Sequence, residues 1–236
     1  MASPRATRRE PSPSLTTAAA IEAQKRAAAA AAAELVRDGM RLGLGTGSTV
    51  SHLLPAIAER ELRGLVCVPS SPATDAAARA LGLQLRAIED VGALDLYIDG
   101  ADQIDPRGWL IKGGGAAHTR EKILAAAARR FVVIASAEKA VQELAPPVPL
   151  ELVPFGVSAT LRAIGEARLR DVPRSPDGGL IGDYEGPIGD PAELATRLSC
   201  VPGVVEHGLF APGLVTEILI ATEVGVTRRA GAKPTA

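Results

Sequence analysis

The chain has 236 residues, of which 47% are hydrophobic, 22% charged and only 3% aromatic, with a formal charge of −1. That length and apolar content predict a packed core, as one large domain or one with a smaller companion. Near-neutrality gives no electrostatic footprint for nucleic acid or an anionic membrane, and no apolar run reaches the roughly 18–20 residues of a membrane span. The first residues, MASPRATRREPSPS, lack the apolar stretch of a secretory signal, so 1–16 reads as a disordered tail of a cytoplasmic protein. Residues 17–37 are alanine-rich and helix-favouring, with Asp38-Gly39 as the stop. A strand from Met40 to Leu44 runs into GTGST, and a helix follows with Ser48 or Thr49 as N-cap. Leu65–Val68, Leu83–Ile88, Leu94–Ile98 and Leu110–Ile111 read as strands, Thr74–Leu81 and Thr119–Arg130 as helices. The β-branched run Phe131–Ala135 reads as a strand covered on both faces.

After Pro146, Pro147 and Pro149 the pattern changes. Leu150–Val153, Arg168–Arg170, Leu180–Asp183 and Val204–Leu209 read as strands, Val157–Ile164 and Pro191–Cys200 as helices. That βαββαβ order is the ferredoxin-like unit. The last strand, Thr216–Ala221, is apolar enough to return to the first sheet. The predicted fold is therefore α/β: a doubly wound, mostly parallel, Rossmann-like sheet over 17–146 and 210–227, a smaller ferredoxin-like α+β domain over 147–209, and a loose end at 228–236.

Three glycine-bearing segments, each at the end of a predicted strand, carry the chemistry. GLGTGST (Gly43–Thr49) opens a helix, where free amides and the helix dipole favour a phosphate. It has no Gly-Lys-Ser/Thr, and Ser48 stands where the third glycine of a dinucleotide fingerprint should be, so it fits neither nucleotide motif; a plain tight turn is the alternative. IDGAD places Asp99 and Asp102 beyond a strand end, where paired carboxylates can hold sugar hydroxyls, bind Mg²⁺, or merely cap a turn. Asp105 is assigned to the capping role. KGGGAAHTREK offers a main-chain cradle, Lys112, and Glu121 in the first turn of a helix capped by Thr119; His118 reads as a loop bystander. Lysine is outnumbered by arginine 21 to 5, which draws attention to Lys25, Lys112 and Lys139. Cys67 and Cys200, inside apolar runs, read as buried thiols in a reducing compartment.

The three segments, in this order and spacing, resemble ribose-5-phosphate isomerase of the A type, and the resemblance runs from about residue 17 to 226, through Lys139 and PGVVEHGLF (Pro202–Phe210). It implies aldose–ketose isomerisation of a pentose phosphate through an enediolate, with no cofactor and no metal. Glu121 would be the general base, with Asp99, Asp102 and Lys112 assisting. Thr46, Gly47, Ser48, Thr49, Gly100, Ala101, Gly113, Gly114, Gly115 and Lys139 would bind substrate, and Lys25 would reach the phosphate. The resemblance also implies a homodimer or homotetramer. Departures are Gln103 in place of a glutamate, His118 in place of a leucine, and Pro72 after Ser70-Ser71. A sugar-phosphate sensor and a histidine-dependent deaminase or lactonase are the competing readings.

Overall fold

The computed structural model describes residues 17–234, so the predicted tail at 1–16 lies outside it. Among the described residues no helix is long and apolar enough to cross a membrane. Helix α1 (Ala18–Ala33) starts at Thr17, whose hydroxyl accepts the amide of Ala20 at 3.2 Å. Its buried face is Ala28, Ala29, Ala32 and Ala33, small enough to lie close on the sheet. Strand β1 (Arg41–Leu44), helix α2 (Val50–Ala58), strand β2 (Val66–Pro69), helix α3 (Pro72–Ala80), the short α4 (Ile88–Val91) and strand β3 (Leu94–Asp99) follow in turn. Strands β4 (Gln103–Ile104) and β5 (Leu110–Ile111) precede helix α5 (His118–Ala127) and strand β6 (Ala128–Ser136).

The second unit comprises β7 (Val148–Leu152), α6 (Val157–Ile164), β8 (Ala167–Leu169), β9 (Leu180–Tyr184), α7 (Pro191–Ser199) and β10 (Val204–His207). It is a four-stranded antiparallel sheet in the order β10-β7-β9-β8, the ferredoxin-like arrangement. The chain then returns through β11 (Leu209–Phe210) to β12 (Glu217–Thr222), which pairs in parallel with β6 as the apolar pattern predicts. A final strand, β13 (Gly225–Ala230), completes the main sheet in the order β13-β12-β6-β3-β1-β2. All its pairings are parallel except β12 with β13. On β6, Val132 and Ile134 join the core under α1 and α2, while Phe131, Val133 and Ala135 join the opposite core, where Phe131 stacks on Tyr97. A third core belongs to the antiparallel sheet and takes in Ile111, Leu209 and, at its edge, Trp109.

Several predicted elements are corrected. Leu83–Ile88 is no strand: Leu85 makes one isolated bridge to Cys67, and Ile88 already begins α4. Helix α5 ends at Ala127, because pairing with β3 from Ala128 onward outweighs the helical preference of this alanine-rich run. Val204–Leu209 is broken at Gly208, whose amide and carbonyl bond Pro149 and Lys112. Arg228–Ala230 belong to β13, and Lys233 donates to the carbonyls of Ala125 and Ala128 at the end of α5, so 228–234 is anchored. Cys67 is buried as expected, but Cys200 is exposed at the end of α7.

Candidate active site

Strand β1 lies between β2 and β3, so the chain leaves the ends of β1 and β3 toward opposite sides of the sheet. A crevice opens at such a point, beyond the carboxyl ends of the strands. Into it come the loop after β1, the loop after β3, and the stretch joining β5 to α5. The cleft is lined by Thr46, Gly47, Ser48, Thr49, Gly100, Ala101, Asp102, Lys112, Gly113, Gly114, Gly115, Glu121 and Lys139. Two predicted residues lie outside it. Asp99 is wholly buried beneath the floor, and Lys25 on α1 pairs at 2.7 Å with Glu22, which also meets His52.

Asp99 organises the floor. Its Oδ1 accepts the amides of Thr46 and Gly100 at 3.0 and 2.7 Å, and its Oδ2 accepts the Tyr97 hydroxyl and lies 2.8 Å from Lys112 Nζ. Burial, with the charges of Asp99 and Glu121, pushes the Tyr97 phenol well up, so it stays a donor. Gly45 is required here: a Cβ on it would fall inside the Asp99 carboxylate. Asp99 therefore presents no face to the cleft, whereas its place beside Asp102 in the sequence puts both carboxylates against sugar hydroxyls. The two aspartates do not converge: Asp102 Oδ2 takes the Gly114 amide at 2.8 Å on the cleft wall.

Lys112 is 2% exposed and donates to the Gly100 carbonyl at 2.6 Å. Its Nζ sits 3.0 Å from Glu121 Oε2, within charge contact, although that oxygen has no aligned hydrogen bond. Burial opposes the ammonium, but Asp99 and Glu121 together hold its pKa above the ordinary lysine value. Glu121 is also 2% exposed; burial pushes its pKa up to about 8, the nearby Lys112 opposes the shift, and Asp99 reinforces it. Two carboxylates share one ammonium in a desolvated pocket, and Glu121 is the one poised to hold a proton.

The loop after β1 offers its main chain. Among the described residues, the amides of Gly47, Ser48 and Thr49 find no protein acceptor. Gly47 has a φ of +120°, the backbone form that suits glycine. Of the two predicted caps Thr49 holds the N-cap position of α2, though its side chain makes no cap bond. Thr46 is committed elsewhere, its hydroxyl bonding Ser70, Ser71 and Thr74 at 2.7, 2.8 and 3.2 Å. Ser71 caps α3, and Pro72 occupies the first turn, where a missing amide costs nothing.

The remaining expectations sort plainly. Asp105 caps the amide of Trp109 at 2.8 Å, as assigned. Gln103 exchanges two 2.8 Å bonds with the backbone of Ala145, donating one and accepting the other, which a carboxylate cannot do. Thr119 is not the cap of α5; Ala117 holds that position and Thr119 donates to Glu151. His118 is not in a loop: it is the first residue of α5, fully buried, and packs so closely on Gly113 that a Cβ there would lie 2.7 Å from Nδ1. Burial and the Lys122 charge lower its pKa to about 3. His207 is lowered to about 4 by burial, and its Nδ1 accepts the Leu209 amide, so Nε2 carries the proton toward Ser199. That imidazole cannot serve Ser199 as a base, and neither histidine lines the cleft. Tyr97, Ser70, Thr74 and Glu151 have no motif of their own; the one hint in the sequence is the Ser70-Ser71-Pro72 turn beside the first motif.

Comparison with known proteins bears on the same residues. The family model described as ribose 5-phosphate isomerase A (phosphoriboisomerase A) matches residues 66–225. A ribose-5-phosphate isomerase A from Nitrobacter hamburgensis is 46% identical over 225 residues, covering 87% of this chain and 97% of that protein. The crystal structure of ribose 5 phosphate isomerase A from Neisseria gonorrhoeae superposes with a TM-score of 0.85 at 31% identity, over 91% of this chain and 98% of that one. A D-ribose-5-phosphate isomerase in complex with phospho-erythronic acid superposes with a TM-score of 0.84 at 33% identity, over 89% and 99%. With its cleft, its sheet order and its three glycine-bearing segments, the chain belongs to the ribose 5-phosphate isomerase A family.

Proposed function

We propose that this chain interconverts D-ribose 5-phosphate and D-ribulose 5-phosphate through an enediolate, with Glu121 as the general base. Family membership supports the reaction. The observation that carries the mechanism is a buried carboxylate on the cleft wall, 3.0 Å from a lysine ammonium and raised to about 8. Glu121 takes the proton from C2; the C2–H electron pair becomes the C1=C2 bond, and the carbonyl pair moves onto O1. The negative charge thus passes from Glu121 to the sugar oxygen, and Lys112, which balanced the first, balances the second without rearrangement. A proton shifts between the two oxygens, Glu121 returns its proton to C1, and the ketone stands at C2.

Asp102 accepts from a sugar hydroxyl and assists ring opening. Asp99 acts through Lys112, whose ammonium it fixes at 2.8 Å. The phosphate sits on the amides of Gly47–Thr49 beside Lys139, and holding it supplies the positioning part of catalysis. Lys25, whose Nζ has donors to spare beyond its bond to Glu22, would reach the phosphate from α1. The relative in complex with phospho-erythronic acid supports a phosphorylated polyhydroxy ligand in this cleft. Exposed Val153, Phe155 and Val205, beside and on edge strand β10, support association into a homodimer or homotetramer.

A coupled assay with ribose 5-phosphate in the presence of a chelator tests the reaction, and persisting turnover is the expected result. Glu121→Gln should lower kcat by roughly 10²–10⁴-fold with KM little changed. Wild-type turnover in that variant would remove Glu121 from the mechanism.

A further inference from the structure

Arg170 follows β8 in the antiparallel sheet, far in sequence from every motif of the cleft. Its Nε and Nη2 form a fork on Asp183, at 2.8 and 2.6 Å. Its Nη1 donates to the carbonyls of Gly113 and Gly114, at 3.1 and 3.3 Å. The side chains of Arg170 and Asp183 are 16% and 6% exposed, so the fork is sheltered and its planar geometry fixes the direction of Nη1.

The Gly113 carbonyl shares one planar peptide with the Gly114 amide, and neither group can turn without the other. That amide donates to Asp102 Oδ2 at 2.8 Å. Gly113, at φ +101°, and Gly114 bring no side chain to steady the plane. Its orientation is therefore set by the bonds at its two edges: Asp102 on the amide, and on the carbonyl Arg170 together with the Ala116 amide at 3.0 Å, a local turn bond that Arg170 ties to the small sheet. We propose that Arg170 is a positioning residue for the reaction: it pins the Gly113–Gly114 peptide, whose amide holds the Asp102 carboxylate against the substrate. Donation from a cation onto the Gly113 oxygen also polarises the peptide and strengthens the Gly114 amide as a donor. The inference rests on the role given to Asp102 above.

Arg170→Lys keeps a cation beside Asp183 but has no fork to span both partners. In steady-state assays of the full chain with ribose 5-phosphate, it should lower kcat roughly ten- to a hundred-fold, the scale of a misplaced group near the reacting atoms. Because Arg170 acts through Asp102, the same change added to Asp102→Asn should lower kcat no further, a coupling read by the double-mutant cycle. An equal factor in both backgrounds overturns the inference and leaves the role of Asp102 standing. Wild-type turnover in Arg170→Lys does the same. Wild-type turnover in Asp102→Asn removes the role of Asp102 and this inference with it. Thermal unfolding separates positioning from loss of fold; should Arg170→Lys fail to fold, Asp183→Asn loosens the fork from its other side and carries the same cycle.

Discussion

Glu121 is held in a setting that suits its neutral form, although the proposed reaction begins from its anion. Desolvation is the main cause, and the second carboxylate of Asp99 adds to it against the pull of Lys112. The consequence for activity is a rising limb: kcat/KM should increase with pH through an apparent value near 8, well above an ordinary glutamate, in a pH–rate profile. Stability runs the other way. The unfolded glutamate takes its proton near 4.5 and the folded one near 8, so the folded state carries the extra proton between these values. The contribution of Glu121 to stability is full below about 4.5 and is lost as pH rises through about 8, which denaturant unfolding across that window should show by comparison with Glu121→Gln.

At the scale of elements, the floor of the cleft depends on how closely the loop after β1 approaches the end of β3. The Gly45 amide bonds the Ile98 carbonyl at 2.9 Å, and its missing Cβ leaves the space that the Asp99 carboxylate occupies. Gly45→Ala should therefore destabilise by about 1–3 kcal/mol, the usual cost of forcing atoms into a packed site. It should also displace Asp99 from Lys112, so thermal unfolding and the isomerase assay should both register it.

Much of this was legible because glycine, carboxylate and lysine cluster at predicted strand ends, where local pattern and chemistry coincide. Strands with continuous apolar runs, such as Phe131–Ala135, were equally plain. The pattern failed where a distant partner decides: Ala128–Arg130 are strand because β3 pairs with them, and Arg228–Ala230 because β12 does. Arg170 and Glu151 carry no local mark, since their meaning comes from a loop or helix more than thirty residues away in sequence, and Asp183 takes its meaning from Arg170. Asp99 and Asp102 looked alike in sequence, and only their surroundings separated a buried organiser from a carboxylate on the cleft wall.

On the scale of the whole molecule, the stretch from Lys112 to Lys122 is held by both sheets. Asp99 and Gly100 hold Lys112 from the main sheet. From the other side Arg170 bonds Gly113 and Gly114, Glu151 bonds Thr119, Asp177 takes Arg120 at 2.7 and 2.8 Å, and Glu206 takes Lys122 at 2.6 Å. The small sheet thus helps to position the stretch that bears Lys112 and Glu121 without lining the cleft. Trp109, the single tryptophan of the chain, sits at the junction, packed on the core of that small sheet. Its fluorescence accordingly reports the docking of the two halves on each other. On refolding from denaturant, turnover should return in step with the Trp109 signal and lag behind helical circular dichroism. Activity that returns before the tryptophan signal would mean the main sheet assembles the site alone. Turnover returning together with the indole signal would make the meeting of the two halves the step that completes the site, with the single tryptophan as its clock.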